Sequence, residues 1–409
     1  MAIHLVEEAN RCLLCRKPRC QEGCPVHTDI PGIIGLFKER KLMEAGERLF
    51  RNNPMSVVCA QVCDHQMQCA GHCIQGIKST PVHFYEIEHF VSDYYMDRCN
   101  LTCAPATGKK AAVVGSGPAG MTAAILLALS GVDVTIFESN NQIGGVPEYG
   151  IPDFRLPKEI FQRYRKRMLK MGIHIRPNTA IGAVLKIKDL FRDGYETVFV
   201  GTGAWKPKGL DIPGETLPNV HYGFDYLANH TYYDLGRRVA IIGAGNTAVD
   251  VARTALRQGA GEVTLFSQDK NARANSIEIG YAELEGATIE YGKGIQRFTP
   301  EGPVFRDCVF DEKGHYAGCT GEEQFFPADS AIIAISQGVR HRILRTTAEL
   351  ECDDRGFLLV DEHNMTTTSG VFSAGDVVTG PKTVVHAVSG AKNAVNGMLA
   401  YMGLPEIKY

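Results

Sequence analysis

Twice in this sequence an apolar strand runs into a glycine turn and then into a helix, and that repetition constrains the fold more than any other feature. The first copy is Ala111-Ala-Val-Val114, then Gly115-Ser116-Gly117-Pro118-Ala119-Gly120, then an Ala/Leu-rich helix, then the strand Val132–Phe137 ending at Glu138. Gly115 permits the tight turn, Gly117 lets a pyrophosphate approach the backbone, and Gly120 lets the helix pack closely on the strand. The helix N-terminus favours phosphate charge, and Glu138 is placed to bond a ribose hydroxyl. The second copy is Arg238–Ile242, then Gly243-Ala244-Gly245-Asn246-Thr247-Ala248, then a helix over Val249–Gln258, then the strand Glu262–Phe266. That strand ends at Ser267, not at an acid. The expected class is α/β, with two Rossmann-type dinucleotide-binding folds.

Two such folds imply two nucleotides. The usual pairing is FAD with NAD(P)H, because hydride passes between stacked nicotinamide and flavin rings. The C-terminal stretch supports this pairing: a strand ends at Gly375-Asp376, and a glycine-containing helix begins at Thr383. The uncharged run Ala111–Val132 is long enough for a membrane span. Gly115, Gly117, Pro118 and Gly120 in its first half favour strand, turn and buried helix instead. Hydrophobic residues at 44% and charged residues at 22% argue for globular structure throughout. A formal charge of -3 removes the electrostatic case for a nucleic-acid partner. Met1–Asn10 holds two glutamates and no apolar core of a signal peptide, so the expected location is the cytoplasm, without a membrane partner.

Ten of the 13 cysteines lie before the first glycine turn. Dense, spaced cysteines in a chain read as cytosolic point to metal and not to disulfides. The first group reads Cys12-x2-Cys15-x4-Cys20-x3-Cys24-Pro25, the second Cys59-x3-Cys63-x5-Cys69-x3-Cys73. The first resembles ferredoxin-type ligation, in which three thiolates grip one cluster and a fourth, followed by Pro, often serves another. Zinc is the alternative, but only Cys12/Cys15 has the short pair that zinc favours. Between the groups, Asp29-Ile30-Pro31 reads as a helix start, with helical spacing of Leu36, Met43, Leu49 and Phe50 through Asn53. A small all-helical module built around clusters is expected, with a core too thin to stand without them. Cys99 and Cys103 read as spare thiols near a linker.

Arg11-Cys-Leu-Leu-Cys15, Gly23-Cys-Pro25, Gly150-Ile-Pro-Asp-Phe-Arg-Leu-Pro157, the Gly243–Ala248 turn, Ala374-Gly-Asp376 and Lys382-Thr-Val-Val385 together carry a family resemblance. The chain resembles, over nearly its whole length, the electron-input small subunit of NADPH-dependent glutamate synthase. Closer in length, it resembles the flavin subunit of bacterial NAD-dependent dihydropyrimidine dehydrogenase, and it is similar to flavin subunits of electron-bifurcating ferredoxin:NADP oxidoreductases. The resemblance implies a helical domain over 1–103 with two [4Fe–4S] clusters. It implies a discontinuous FAD domain over 104–212 and 332–409, with an NAD(P)H domain inserted over 213–331. One cluster would take Cys12, Cys15, Cys20 and Cys73. The other would take Cys24, Cys63, Cys69 and a non-cysteine ligand, here matched by Glu88, with Glu86 and His89 as neighbours. Cys59 is then spare, although counting cysteines alone would make it the eighth ligand. FAD would lie on the Gly115–Gly120 loop, Glu138, Gly145, Val146, Arg155, Gly375, Asp376 and Thr383. The helix after Thr383 would aim its positive end at the flavin. Ile335-Ser336-Gln337 departs from the family's Ile-Gly-Gln.

Function follows as expectation. NAD(P)H would reduce FAD with no side-chain catalyst, and the clusters would pass single electrons to a partner chain, most of all a dihydropyrimidine dehydrogenase-type catalytic subunit. Glutamate synthase or a ferredoxin is the alternative acceptor. A non-catalytic redox sensor or scaffold is the competing class. Thioredoxin-reductase-like enzymes use a reactive cysteine pair beside the flavin. After Cys103 only Cys308, Cys319 and Cys352 remain and none forms such a pair, so electrons are expected to leave through iron–sulfur clusters and not a disulfide. The pyridine nucleotide would contact Gly243, Ala244, Gly245, Asn246, Thr247, Ser267, Lys270 and Arg273. NADH is favoured over NADPH, because Phe266-Ser267-Gln268-Asp269 offers no basic partner for a 2′-phosphate. Lys270 and Arg273 are the residues that could fold back to supply one.

Overall fold

The computed structural model describes residues 2–99, 101–347 and 349–409. They form two compact units: one holds the residues up to Glu148, Asp153–Ala204 and Val339–Tyr409, and the other holds Tyr149–Pro152 and Trp205–Gly338.

The first unit is built on a five-stranded parallel sheet in the order Val371–Ser373, Thr197–Val200, Lys110–Val114, Asp133–Phe137, His174–Arg176. The four strands other than the edge strand His174–Arg176 are short, largely apolar runs, as expected of a sheet covered on both faces. The helix Pro118–Leu129 follows the first glycine turn and is buried from Ala119 to Ala128. It packs against the long helix Val384–Tyr401. The uncharged run is therefore strand, turn and buried helix, and no helix among the described residues is long and apolar enough to cross a membrane.

The cysteine-rich segment adds helices to this same unit. Asp29 caps Ile30–Lys38 by accepting from the Gly32 N–H at 3.1 Å. The helical spacing does not run unbroken to Asn53: Arg40 adopts φ 60°, and a second helix, Leu42–Asn52, starts after it. A left-handed residue cannot continue an α-helix, so the chain turns and the two helices pack together. With Phe84–Arg98 they enclose a core of Ile33, Ile34, Leu49, Ile87 and Val91. That core is fuller than the sequence suggests, and Cys12, Cys20 and Cys73 pack at its edge. Tyr164 donates to the Pro54 carbonyl at 2.7 Å, and Arg163 bonds Asp93 at 2.6 Å, which ties the helices to the sheet's flank.

The second unit repeats the strand order: Val220–Tyr222, Ser330–Ile333, Arg238–Ile242, Glu262–Ser267, Ala287–Tyr291, all parallel. Three antiparallel strands, Lys293–Thr299, Gly302–Phe310 and Tyr316–Phe325, are inserted before Ser330.

Candidate functional site

The two cysteine groups meet in the fold. Gln75 donates to the Arg11 carbonyl at 2.8 Å, which draws the segment after Cys73 onto the one before Cys12. His72 packs over Gly23, where any Cβ would strike the imidazole ring. Cys12, Cys15, Cys20 and Cys73 consequently line one recess, open to solvent, with Pro31 and Val82. Burial raises the Cys12 thiol above its ordinary value and pushes Cys20 up to about 11, with Cys73 and Cys12 adding to the second shift. Thiols crowded out of water stay protonated until a cation binds and replaces the protons. That chemistry fits a metal cluster. Among the described residues no group of three or more His, Cys, Asp or Glu closes around a single metal ion.

The second set gathers deeper. Cys69 lies near Cys24 and Glu88; Cys63 lies near Cys69 and Glu88, and Cys24 near Glu88. Glu88 is buried on the inner face of Phe84–Arg98, beside Ser56, and burial pushes its carboxyl up to about 8. Burial likewise raises Cys24 and Cys69. Glu86 points elsewhere, toward His4 at 3.2 Å and His83 at 3.5 Å. His89 faces Asp93 and Arg163. Cys59 is buried and hydrogen-bonds Cys63, and this contact heads the causes that raise the Cys63 thiol. Of these neighbours, only Glu88 stands near all three of Cys24, Cys63 and Cys69. Lys392, on the helix after Thr383, lies near Cys24 and donates to Asn52 at 2.6 Å. Burial lowers its ammonium to about 8. Sequence reading missed Lys392, because a lysine in a helix ordinarily signals a solvated face. Its only sequence signal is its place among Ala391, Ala394 and Val395 on a buried stripe.

The first glycine turn has the form its residues imply. Gly115 has φ 96°, and a Cβ there would sit 2.6 Å from the Gly201 oxygen. A Cβ on Gly120 would be driven into the Gly115 carbonyl. A Cβ on Gly117 would meet only the Gly145 Cα, at 3.9 Å, an ordinary contact distance. Gly145 has φ 63° and closes on Gly117, while Gly375 meets Ala119 and Ala387. Residues from three distant segments thus surround the N-terminus of Pro118–Leu129, a site fit for a pyrophosphate. Val146 starts a short helix beside Gly145, and Arg155 is half-buried in the following loop. The buried Glu138 accepts from the Ser116 N–H at 2.8 Å and hydroxyl at 2.6 Å, and from Asn140 N–H at 2.8 Å. These bonds hold the carboxylate in one orientation. Asp376 opens a short helix, accepts from the Lys382 N–H at 3.1 Å, and is raised by burial to about 6. Thr383 caps Val384–Tyr401, its hydroxyl 2.6 Å from His386 Nδ1.

In the second unit Gly243 has φ 126°, as Gly115 has a positive φ in the first turn, and Gly245 faces open space. Gly245 caps the helix Asn246–Arg257, which begins Asn246-Thr247. The loop after Ser267 folds back: Arg273 and Ala274 N–H donate to the Ala244 carbonyl at 3.0 and 3.1 Å. Arg273 nevertheless pairs with Asp269 at 2.6 Å, and Lys270 lies over Phe310 at 4.7 Å. Two of the three late cysteines do pair, but in the second unit: Cys308 and Cys319 face each other across adjacent strands. An antiparallel hairpin brings together residues whose sequence separation says nothing about pairing.

A profile of the pyridine nucleotide-disulphide oxidoreductase family matches residues 109–391, and one for dihydropyrimidine dehydrogenase domain II, 4Fe-4S cluster, matches residues 2–100. The chain is 32% identical to a glutamate synthase [NADPH] small chain of Halomonas elongata, covering 97% of this chain and 90% of that one. It is 31% identical to the NAD-dependent dihydropyrimidine dehydrogenase subunit PreT of Salmonella typhimurium, covering 97% and 94%. Among solved structures, FprA from Mycobacterium tuberculosis in complex with NADPH aligns with a TM-score of 0.62 at 20% identity, over 73% of this chain and 85% of that one; at that identity the likeness shows the fold alone. The fold and both sites define an FAD-dependent NAD(P)H oxidoreductase with iron–sulfur electron transfer. The chain belongs to the pyridine nucleotide-disulphide oxidoreductase family, alongside the glutamate synthase small chains and PreT subunits.

Proposed function

We propose that the chain is the electron-input subunit of a hetero-oligomer, most of all one whose partner is a dihydropyrimidine dehydrogenase-type catalytic chain. The observation that carries this is Lys392: the helix that begins at the flavin-side Thr383 reaches the Cys24 thiol within one compact unit. Held there, FAD would supply the chemistry that converts hydride from NAD(P)H into single electrons for the clusters. The chain's own work is placement. Gly115–Gly120, Gly145-Val146, Arg155, Gly375-Asp376 and Glu138 hold the dinucleotide, and the N-terminus at Thr383 favours negative charge on the reduced ring. Cys12, Cys15, Cys20 and Cys73 hold one [4Fe–4S] cluster; Cys24, Cys63, Cys69 and Glu88 hold the second. On this reading residues 1–103 are the cluster domain, 104–212 with 332–409 the FAD domain, and 213–331 the nucleotide domain, although 205–212 and 332–338 fall in the second compact unit. The relatives named above are a small chain and a subunit, which supports a partner. Thirteen free cysteines suit the reducing cytoplasm.

NADH is the favoured donor. Asp269 neutralises Arg273, Lys270 is turned onto Phe310, and Ser267 carries no charge, so a 2′-phosphate finds no free cation among these three. Anaerobic protein should carry about eight irons, four per cluster, with one FAD. Tightly bound zinc without acid-labile sulfide would end the cluster reading. Rapid bleaching of FAD by NADH separates an enzyme from a scaffold. A higher kcat/KM for NADPH would overturn the donor assignment. A glutamate synthase large chain in the purified complex would overturn the partner.

A further inference from the structure

We propose that Cys308 and Cys319 form a dithiol site in the nucleotide unit, which hydroperoxides convert to a cross-strand disulfide, and that this oxidation weakens NAD(P)H binding. Cys308 and Cys319 are direct partners in the antiparallel pairing of Gly302–Phe310 with Tyr316–Phe325. The Cys308 N–H bonds the Gly292 carbonyl at 2.8 Å, on the other neighbouring strand. Toward Cys319 the pair is therefore of the non-hydrogen-bonded kind. Such pairs bring Cα atoms to about 4.5 Å, within the roughly 4.4–6.8 Å that disulfides span. Both sulfurs lie over Gly294, which offers no side chain to separate them. Both residues are half-buried, so a small peroxide can reach them.

The two thiols are not equivalent. Gln296 Nε2 donates to the Cys319 sulfur at 3.5 Å, and the Tyr316 hydroxyl stands 3.3 Å from it. These contacts single out Cys319 as the sulfur set among polar groups, and so as the one that meets the peroxide. Burial, with Cys319 and Asp269 adding to it, pushes the Cys308 thiol up to about 12. Cys319 attacks the peroxide oxygen: the O–O bond breaks, an S–O bond forms, and the leaving alkoxide takes a proton to become an alcohol, or water from hydrogen peroxide. Cys308 then displaces hydroxide from the sulfenic acid; its proton and the hydroxide leave as water, and the S–S bond forms. Two electrons pass from the sulfurs to the peroxide.

The site is wired to the nucleotide loop. Tyr316 hydrogen-bonds both Cys319 and the Gln268 side chain, and Asp269 O accepts from Gly292 N–H at 3.3 Å. That loop continues to Arg273, held on the Ala244 carbonyl of the glycine turn. Linking the sulfurs takes Cys319 away from Tyr316, and with it a hold on Gln268.

The test uses anaerobic holoprotein treated with a few equivalents of hydrogen peroxide, then acid-quenched, alkylated and digested. The expected result is a reducible peptide linking positions 308 and 319, with iron content unchanged and the NADH KM raised about fivefold. In Cys308→Ser, dimedone should trap a sulfenic acid at Cys319. No linked peptide at peroxide doses that spare the iron would overturn the site. A linked peptide with unchanged KM would overturn its coupling to the nucleotide. Because the linked peptide is read in the wild-type chain, a misfolding variant cannot mask the outcome, and the result does not depend on which acceptor the clusters serve.

Discussion

The two nucleotide folds have the same strand order and the same glycine turn, but they treat the loop after the second strand differently. In both, the carbonyl of the turn's second residue accepts from that loop: Ser116 from Gly144 N–H, Ala244 from Arg273 and Ala274 N–H. In the first fold the loop arrives as Gly144-Gly145 and presses against Gly117, while Glu138 is fixed by four donors including the Ser139 hydroxyl. In the second it arrives as Arg273-Ala274-Asn275, Arg273 is 80% exposed, and Ser267 only accepts from Asp269 N–H at 3.2 Å. The first helix is apolar all round and buried; the second carries Arg257 to the surface and ties its buried Arg253 to Glu278 and Glu285. A closed, pre-ordered first site suits a resident cofactor. An exposed second site suits a substrate that must leave.

Four changes would break or sharpen this contrast. Gly120→Ala should cost about 3 kcal/mol or prevent folding, since the new methyl meets a backbone oxygen that cannot retreat. The counterpart Ala248 already carries its methyl in a buried site, so Ala248→Gly should cost only about 1 kcal/mol. Denaturant unfolding of both variants checks the pair, and equal losses would show that the two turns pack alike. Glu138→Ala should weaken FAD retention by about 2 kcal/mol, because it strips a charged acceptor from buried donors. Ser267→Ala should leave FAD binding unchanged; fluorescence of released flavin reads both.

Lys392 gives the first fold a link to the thiols through its own helix. Lys392→Met should lower the potential of the cluster near Cys24 by on the order of 50 mV, about 1 kcal/mol for one electron, since removing a positive charge disfavours the reduced form. An electron-spin-monitored titration would show it, and a rise in potential would refute the sign. A further effect concerns the second unit. Ser336 has φ 142°, a conformation that favours glycine, where the family pattern has glycine. Ser336→Gly should stabilise the protein by about 1 kcal/mol, measurable as a higher denaturant midpoint.

Much of this was legible from residue order, and the reason is local. A glycine turn between an apolar strand and a helix is a steric requirement written within six consecutive residues, so both folds could be read directly. Cysteine spacing likewise marked the thiol module, and Asp29-Ile30-Pro31 marked a helix start. The break at Arg40 was not legible, because nothing about an arginine announces a left-handed φ. That Glu88 turns toward the buried thiols while Glu86 and His89 turn elsewhere depends on which face of Phe84–Arg98 points inward, and only packing decides that. Lys392 beside Cys24, Arg273 paired to Asp269, and Cys308 opposite Cys319 join residues far apart or with uninformative spacing. The sequence by itself determined the covalent and steric necessities: which turns can approach a phosphate and which segments can supply thiolates. The tertiary structure decided which charges and sulfurs become neighbours, because that depends on strand register, helix rotation and burial, and none of these is encoded by spacing alone.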